Sequence, residues 1–260
     1  MIDLRDDYFH QAENDYVQLA ICSVLGNRKE QQDRAGFELA GENAVIAVCD
    51  GMGGHSGGKQ ASITAVEQLL QRWKNQNGKD EPRTFLVKTV LELDKIVASM
   101  TSSDGVAMRS GTTLSAVVLK KNQLHWVSVG DSRIYISRPP EFVRITKDHT
   151  YYALQQAGQL PQNLPQVKNP ESVLVSFVGV GDVSRIERNR TPMELQSGDC
   201  ILLISDGVYK LLKDNEINNI IGKCTDVAGV TQSLIAFAQG RAKNECIPAD
   251  NITVAVVKIK

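Results

Sequence analysis

No stretch of this 260-residue chain is apolar for long enough to cross a membrane. Runs such as residues 45–49 and 201–204 fall far short of the about 20 residues that a spanning helix needs. Charge of one sign is not in excess either. The formal net charge is −1, which argues against nucleic acid or an anionic membrane as a partner. Asp3, Arg5, Asp6, Asp7, Glu13 and Asp15 crowd the first sixteen residues, so the start of the chain does not read as a signal peptide. Cysteine pairs are missing. Cys22, Cys49, Cys200, Cys224 and Cys246 form no C-x-x-C, and an odd, scattered set fits buried free thiols in the reducing cytoplasm. None lies in a polar, glycine-rich setting that would lower a thiol pKa, which argues against a cysteine nucleophile. There is no internal repeat, low-complexity tract or linker. The expected organisation is a polar N-terminal extension, residues 1–16, followed by a single domain, residues 17–260.

Periodicity then gives the elements. Residues 17–25, 35–39 and 44–49 read as strands. Ile63, Val66, Leu69, Leu70 and Trp73 recur at helical spacing, as do Leu86, Val90, Leu93, Val97 and Met100. Four short strand-like runs follow, 112–120, 124–129, 133–137 and 141–145. Lys121-Asn122 and Gly130-Asp131-Ser132 are the hairpin turn candidates between them. With no helix between them, these strands are expected to be antiparallel neighbours. Residues 148–171 form a long segment of mixed character, the kind that is functional or disordered. Strands over 172–180 and 200–204, helices over 215–221 and 227–243, and a last strand over 252–259 complete the chain. The order predicts an α+β fold, an antiparallel sheet system with helices packed outside.

The chemistry-bearing residues gather at the ends of the strongest strands. Asp50 follows AVIAVC, Asp131 follows HWVSVG, Asp206 follows CILLIS, and Asp250 precedes ITVAVVKI; Asp33 lies in an early polar loop. One strand-end Asp-Gly is ordinarily a turn. Here Asp50-Gly51 and Asp206-Gly207 repeat it. Carboxylates that converge cannot all stay ionised without cations, and oxygen-only ligands select Mg²⁺ or Mn²⁺ over zinc. A competing pattern starts at Gly53. Residues 53–60 read G-x-x-x-x-G-K-Q, one residue from the phosphate-binding P-loop. Gln60 stands where that motif has its Mg²⁺-binding hydroxyl, and four strands in succession do not suit its parallel sheet. A nucleotide hydrolase of this kind is therefore the weaker alternative.

Taken together, G-N-R-K-E-Q-Q-D (26–33), D-G-M-G-G-H (50–55), S-G-T-T (110–113), V-G-D-S-R (129–133), I-T-K-D-H (145–149), S-D-G (205–207) and D-N-I-T (250–253) resemble the metal-dependent serine/threonine phosphatases of the protein phosphatase 2C type, in order, over residues 19–258. The likeness is to a bacterial member. It implies a β-sandwich of two antiparallel sheets flanked by helices. It implies hydrolysis of phosphoserine and phosphothreonine by a water bridging two Mn²⁺ or Mg²⁺ ions. Asp50 would bridge the ions, the Gly51 carbonyl would ligate one, and Asp206 and Asp250 would complete the first ion's ligands. Asp33, preceded here by Gln32, would stand near the second ion. Asp131 with Asp206 would form a weaker third metal site. Arg28 would bind the phosphate and His55 would act as general acid. Thr112 and Thr113 are expected to shape the strand start, and His149 to be structural. Residues 150–172 would be a flap beside the site, with Tyr151, Tyr152, Leu154 and Leu160 available to a phosphoprotein. After it, Val175-Ser176-Phe177-Val178-Gly179 departs from the Thr-Arg-Ala-Leu-Gly-like run of bacterial members by having no arginine. Phosphorylated proteins are the implied partners, among them a serine/threonine kinase or its targets. The protein is expected to be a monomer. A catalytically silent relative that only binds would have lost metal ligands, and this chain keeps Asp50, Asp206 and Asp250.

Overall fold

A computed structural model describes residues 1–53, 57–76, 79–101, 105, 107–108, 110–160 and 167–260. The strand that carries the first aspartate explains the architecture. β4 (Asn43–Gly53) is apolar almost without a break because both of its faces are covered, which removes the alternation of a half-exposed strand. Ala44, Ile46 and Val48 point to one core; Val45, Ala47 and Cys49 point to another.

The first core lies between two antiparallel sheets. One sheet has the order β1 (Tyr8–Glu13), β2 (Val17–Val24), β13 (Ile252–Ile259), β12 (Cys200–Ile204), β8 (Arg133–Arg138), β9 (Glu141–Arg144). The other has the order β10 (Glu187–Arg188), β7 (Gln123–Val129), β6 (Leu114–Lys120), β4, β3 (Asp33–Ala40); β11 (Met193–Glu194) also pairs with β7, and β5 (Ser110–Thr112) with β4. Leu19, Ile21, Ile201 and Leu203 of the first sheet meet Phe37, Ile46, Val117 and Trp126 of the second. The two outer faces are closed by helices. α1 (Gly57–Gln76) and α2 (Pro82–Ala98) cover the sheet containing β4, through Ala65, Leu69, Trp73, Leu86 and Leu93. α4 (Asp206–Tyr209), α5 (Asp214–Lys223) and α6 (Val227–Asn244) cover the other, through Val208, Ile217, Leu234 and Ala238. α3 (Tyr151–Gln156) lies inside the segment expected to form a flap. The α+β sandwich with outer helices is thus borne out, and the antiparallel order of both sheets overturns the P-loop alternative.

Four expectations change. Residues 8–13, read as part of an extension, form an edge strand paired with β2 from Tyr8↔Ser23 to Glu13↔Gln18. The charged flanks conceal a short alternation in which Tyr8 is buried and accepts the Ala35 N–H on its hydroxyl. Residues 130–132 are not a hairpin turn, because β7 and β8 lie in different sheets and the turn carries the chain across the sandwich. No strand forms over 172–180. Only isolated bridges occur there, Thr150↔Leu174 and Thr112↔Val178. The segment is instead held by Asp94, a buried carboxylate of α2 whose Oδ1 accepts the N–H groups of Gly179 (2.7 Å) and Gly181 (3.1 Å) and whose Oδ2 accepts that of Val183 (3.0 Å). Three charge-assisted bonds of this kind dock the chain where no arginine is present to do so. Finally, Cys246 is exposed and Cys224 half-buried, while Cys22, Cys49 and Cys200 are buried free thiols.

Leu203, fully buried between the sheets, tests this packing. Leu203→Ala removes apolar contact and leaves a cavity, so urea denaturation should show a loss of about 2–5 kcal/mol. Phe237→Ala, at a side chain 61% exposed on α6, should change stability by no more than about 0.5 kcal/mol.

Candidate metal centre

The antiparallel pairing brings the aspartates together. The start of β3 lies beside the end of β4, so Asp33 and Asp50 are direct cross-strand partners. The end of β12 lies beside the start of β13, which sets Asp206, the first residue of α4, near Asp250. The crossing turn after β7 supplies Asp131 from the other sheet. Asp50, Gly51, Asp131, Asp206, Asp250 and Arg28 all line one cleft of about 730 Å³. Asp33 lies just behind it, 1% exposed. His55 lies outside the described residues.

Close approach around the cleft demands glycine at several points, Gly51 and Gly207 among them. A Cβ on Gly51 would stand 2.1 Å from the Gly58 carbonyl oxygen, and one on Gly207 the same distance from that of Asn251. The first contact seats α1 against the end of β4. The second joins the loop of Asp206 to that of Asp250.

Hydrogen bonds fix the backbone around each carboxylate. The Asp50 N–H donates to Thr113 Oγ1 (2.8 Å), and the Thr113 N–H and Thr112 Oγ1 donate to the Asp50 carbonyl. Both threonines therefore hold the strand, as expected from S-G-T-T. Ser205 Oγ donates to Asp33 Oδ2 (2.7 Å) and accepts the Thr253 N–H (3.0 Å). Thr253 and Ser23 share a hydroxyl–hydroxyl bond, and Gln31 joins Ser23 to the Asp33 N–H. A buried chain of polar groups thus ties β2, β3, β12 and β13 to one carboxylate. The Asn251 side chain accepts the Gln32 N–H and donates to the Leu25 and Glu30 carbonyls, which pins the Arg28 loop to the start of β13. His149 is structural. It is buried, its Nδ1 accepts the Gly130 N–H, and burial lowers its pKa to about 4, so the ring stays neutral.

The electrostatics follow from crowding. Burial, then repulsion by Asp206, Asp33, Asp131 and Asp250, pushes the Asp50 carboxyl well above the carboxylate range. Burial raises Asp33 to about 7 against the hydrogen bonds of Ser205 and Thr253, with Asp206 and Asp250 adding to the rise. Burial and Asp206 raise Asp131 to about 6, while Tyr209 and Lys210 oppose the shift. Two protein cations already answer this charge. Arg28 Nη2 pairs with Asp250 Oδ2, and Lys210 Nζ pairs with Asp206 Oδ2.

The donor set fits a hard divalent cation. No described residue lining the cleft is a histidine or cysteine, and every candidate ligand is an oxygen. Among the described residues no three acidic, histidine or cysteine side chains close on a single point. Mg²⁺-like ions are suited to that arrangement, since they take one or two carboxylates and keep several waters. Lys59, which had pointed to a nucleotide loop, does not line the cleft and pairs with Asp6 at 3.6 Å. Lys210, Tyr209, Ser205 and Asn251 had no role assigned from sequence. The spacing of Lys210, four residues after Asp206, was the available signal for one of them.

Comparison with known proteins agrees with this geometry. The family model described as Protein phosphatase 2C matches residues 23–241. Protein phosphatase PhpP of Streptococcus pneumoniae serotype 2 (strain D39) is 31% identical over 249 residues, covering 94% of this chain and 98% of the relative. The S. agalactiae serine/threonine phosphatase superposes with a TM-score of 0.81 at 26% identity, over 94% of this chain and all of that one. The catalytic domain of the serine/threonine phosphatase PstP, in complex with two manganese ions, gives a TM-score of 0.75 at 28% identity, over 94% of this chain and 98% of that one. By this match, the relatives' near-complete coverage and the shared sandwich, the chain belongs to the protein phosphatase 2C family.

Proposed function

We propose that the chain hydrolyses phosphoserine and phosphothreonine in proteins as a Mn²⁺- or Mg²⁺-dependent phosphatase. The observation that carries this reading is the gathering of Asp50, Asp33, Asp131, Asp206 and Asp250 into one charge cluster at a cleft lined by oxygen donors and Arg28. Asp50, the Gly51 carbonyl, Asp206 and Asp250 would hold two ions, with Asp33 behind them; the manganese-bound PstP supports the choice of ion. When bound, such ions supply positive charge and a water of lowered pKa.

The chain's own groups do the rest. Arg28 spends one N–H on Asp250 and carries four more N–H groups, so its fork can take two phosphate oxygens. A cysteinyl-phosphate route is closed at Cys49, beside Asp50, because burial pushes its thiol far above the usual range. His55, whose place in D-G-M-G-G-H resembles that of the family's proton donor, is assigned that role toward the leaving alkoxide. The residues flanking the phosphorylated one would enter a second cavity of about 850 Å³, which shares Lys210 with the cleft and is lined by Tyr152 and Leu154 of α3.

Phosphoproteins are the substrate class, and a serine/threonine kinase or its targets fit it. We place the enzyme in the cytoplasm as a monomer, with β1 and residues 17–260 in one catalytic domain. No helix among the described residues is long and apolar enough to cross a membrane.

Phosphate release from phosphothreonine peptides should require Mn²⁺ or Mg²⁺, and Asp50→Asn and Asp206→Asn should abolish it. Turnover at wild-type rates in either variant would move the site elsewhere. Arg28→Ala should lower kcat/KM by about 10- to 100-fold, the loss of charge-assisted phosphate bonds. Its Mn²⁺ affinity in a calorimetric titration should hold or rise, since Asp250 loses a competing partner.

The raised carboxyls also set a pH dependence. In metal-free protein the protonated Asp33 and Asp131 are favoured by the fold, so their contribution to stability is complete below the ordinary value of 3.8 and is lost as pH rises through about 6 to 7. Mn²⁺ bound beside them favours their ionised forms. The increase in Tm on adding Mn²⁺ should therefore be larger at pH 8 than at pH 5, and a thermal scan at the two values checks it.

A further inference from the structure

The position given by resemblance to a weaker third ion, between Asp131 and Asp206, is where the fit to a metal fails. We propose that in this chain the third cation is covalent: the Lys210 ammonium stands in for that ion, and the centre takes two divalent ions and no third. The assignment rests on the two-ion reading above.

Three observations carry it. First, the backbone itself holds Lys210 beside Asp206. Its N–H donates to the Asp206 carbonyl at 3.0 Å, one helical turn back, and its Nζ pairs with Asp206 Oδ2. Residues four apart on a turn share a face, so the ammonium and the carboxylate are presented together by the backbone itself. Arg28 differs in this respect. It reaches Asp250 from a distant loop with a side chain 59% exposed, free to exchange its partner for a phosphate.

Second, one oxygen of each carboxylate that a third ion would use is already committed. Asp206 Oδ2 holds Lys210, and Asp131 Oδ2 accepts the Tyr209 hydroxyl at 2.9 Å. Tyr209 is braced in turn. The Arg133 guanidinium lies 3.5 Å over its ring and is itself forked onto Asp148 at 3.1 and 2.7 Å.

Third, the charge is matched. The Lys210 ammonium pairs with Asp206 and faces the charges of Asp131 and Asp250. The site thus holds a positive charge that is paired with Asp206 and near Asp131. A dication brought to the same place would meet both that charge and a partly occupied ligand set.

Mn²⁺ titration followed by calorimetry, with free Mn²⁺ counted by electron paramagnetic resonance, tests this without reference to turnover. Wild type should bind two ions and show no third up to millimolar Mn²⁺. Lys210→Asp, which replaces the ammonium by an oxygen ligand, should bind a third, at least about tenfold tighter than wild type. Lys210→Met should show a weaker gain, and Lys210→Arg, which keeps the charge, none. Adding Asp131→Asn to Lys210→Asp should remove the gained ion. Circular dichroism confirms that each variant is folded. A third ion bound equally by wild type and Lys210→Met, with the first two intact, overturns the assignment of Lys210 alone. Fewer than two ions in wild type overturns the two-ion reading and this inference with it.

Discussion

Carboxylates packed at one end of a β-sandwich repel each other, and much of the molecule is arranged around that repulsion. Asp50 is pushed far from its ordinary acidity by burial and four like-charged neighbours. Such a cluster opposes folding unless cations answer it. Two answers are built in, Arg28 on Asp250 and Lys210 on Asp206; divalent ions are the third. The same repulsion that destabilises the bare protein is what gives the centre its affinity for metal. Stability and function therefore draw on one electrostatic source.

Holding like charges together requires a stiff frame. β4 is gripped on one face by the opposite sheet and on the other by α1 and α2. Glycines at 51 and 207 let backbones touch where a methyl group would not fit. The buried chain from Gln31 through Ser23, Thr253 and Ser205 to Asp33 joins four strands and both sheets. Because each donor in it has an acceptor, the polar groups stiffen the core instead of weakening it.

Much of this was legible in the sequence because strands buried on both faces, like β4, write continuous apolar runs, and because an aspartate closing such a run is conspicuous. α1 and α2 announced themselves by spacing. The crossing of the chain at Gly130-Asp131-Ser132 did not, since a three-residue polar turn between strands looks the same whether it folds back or changes sheet. Nor did β1, whose alternation is hidden among charges, or the path of residues 172–183, which depends on contacts with a helix some 80 positions earlier in the chain. The pairing of Lys210 with Asp206 was recoverable from their spacing, but a lysine after an aspartate on a helix is ordinarily a solvated pair. Only the neighbouring Asp131 and Tyr209 give it meaning.

Asp94 has a broader consequence. The chain leaving the region of α3 is clamped by one carboxylate on α2, through main-chain N–H groups alone. Val178 and Val183 are buried in the core beneath it, but exposed side chains of that stretch, such as Val180, are spectators to the clamp. Mutation can rewrite them, and with them the surface offered beside the cleft, while the clamp and the distant metal ligands stay as they are. Selectivity and chemistry are thereby inherited on separate parts of the chain, so a lineage can change its targets without rebuilding its catalyst.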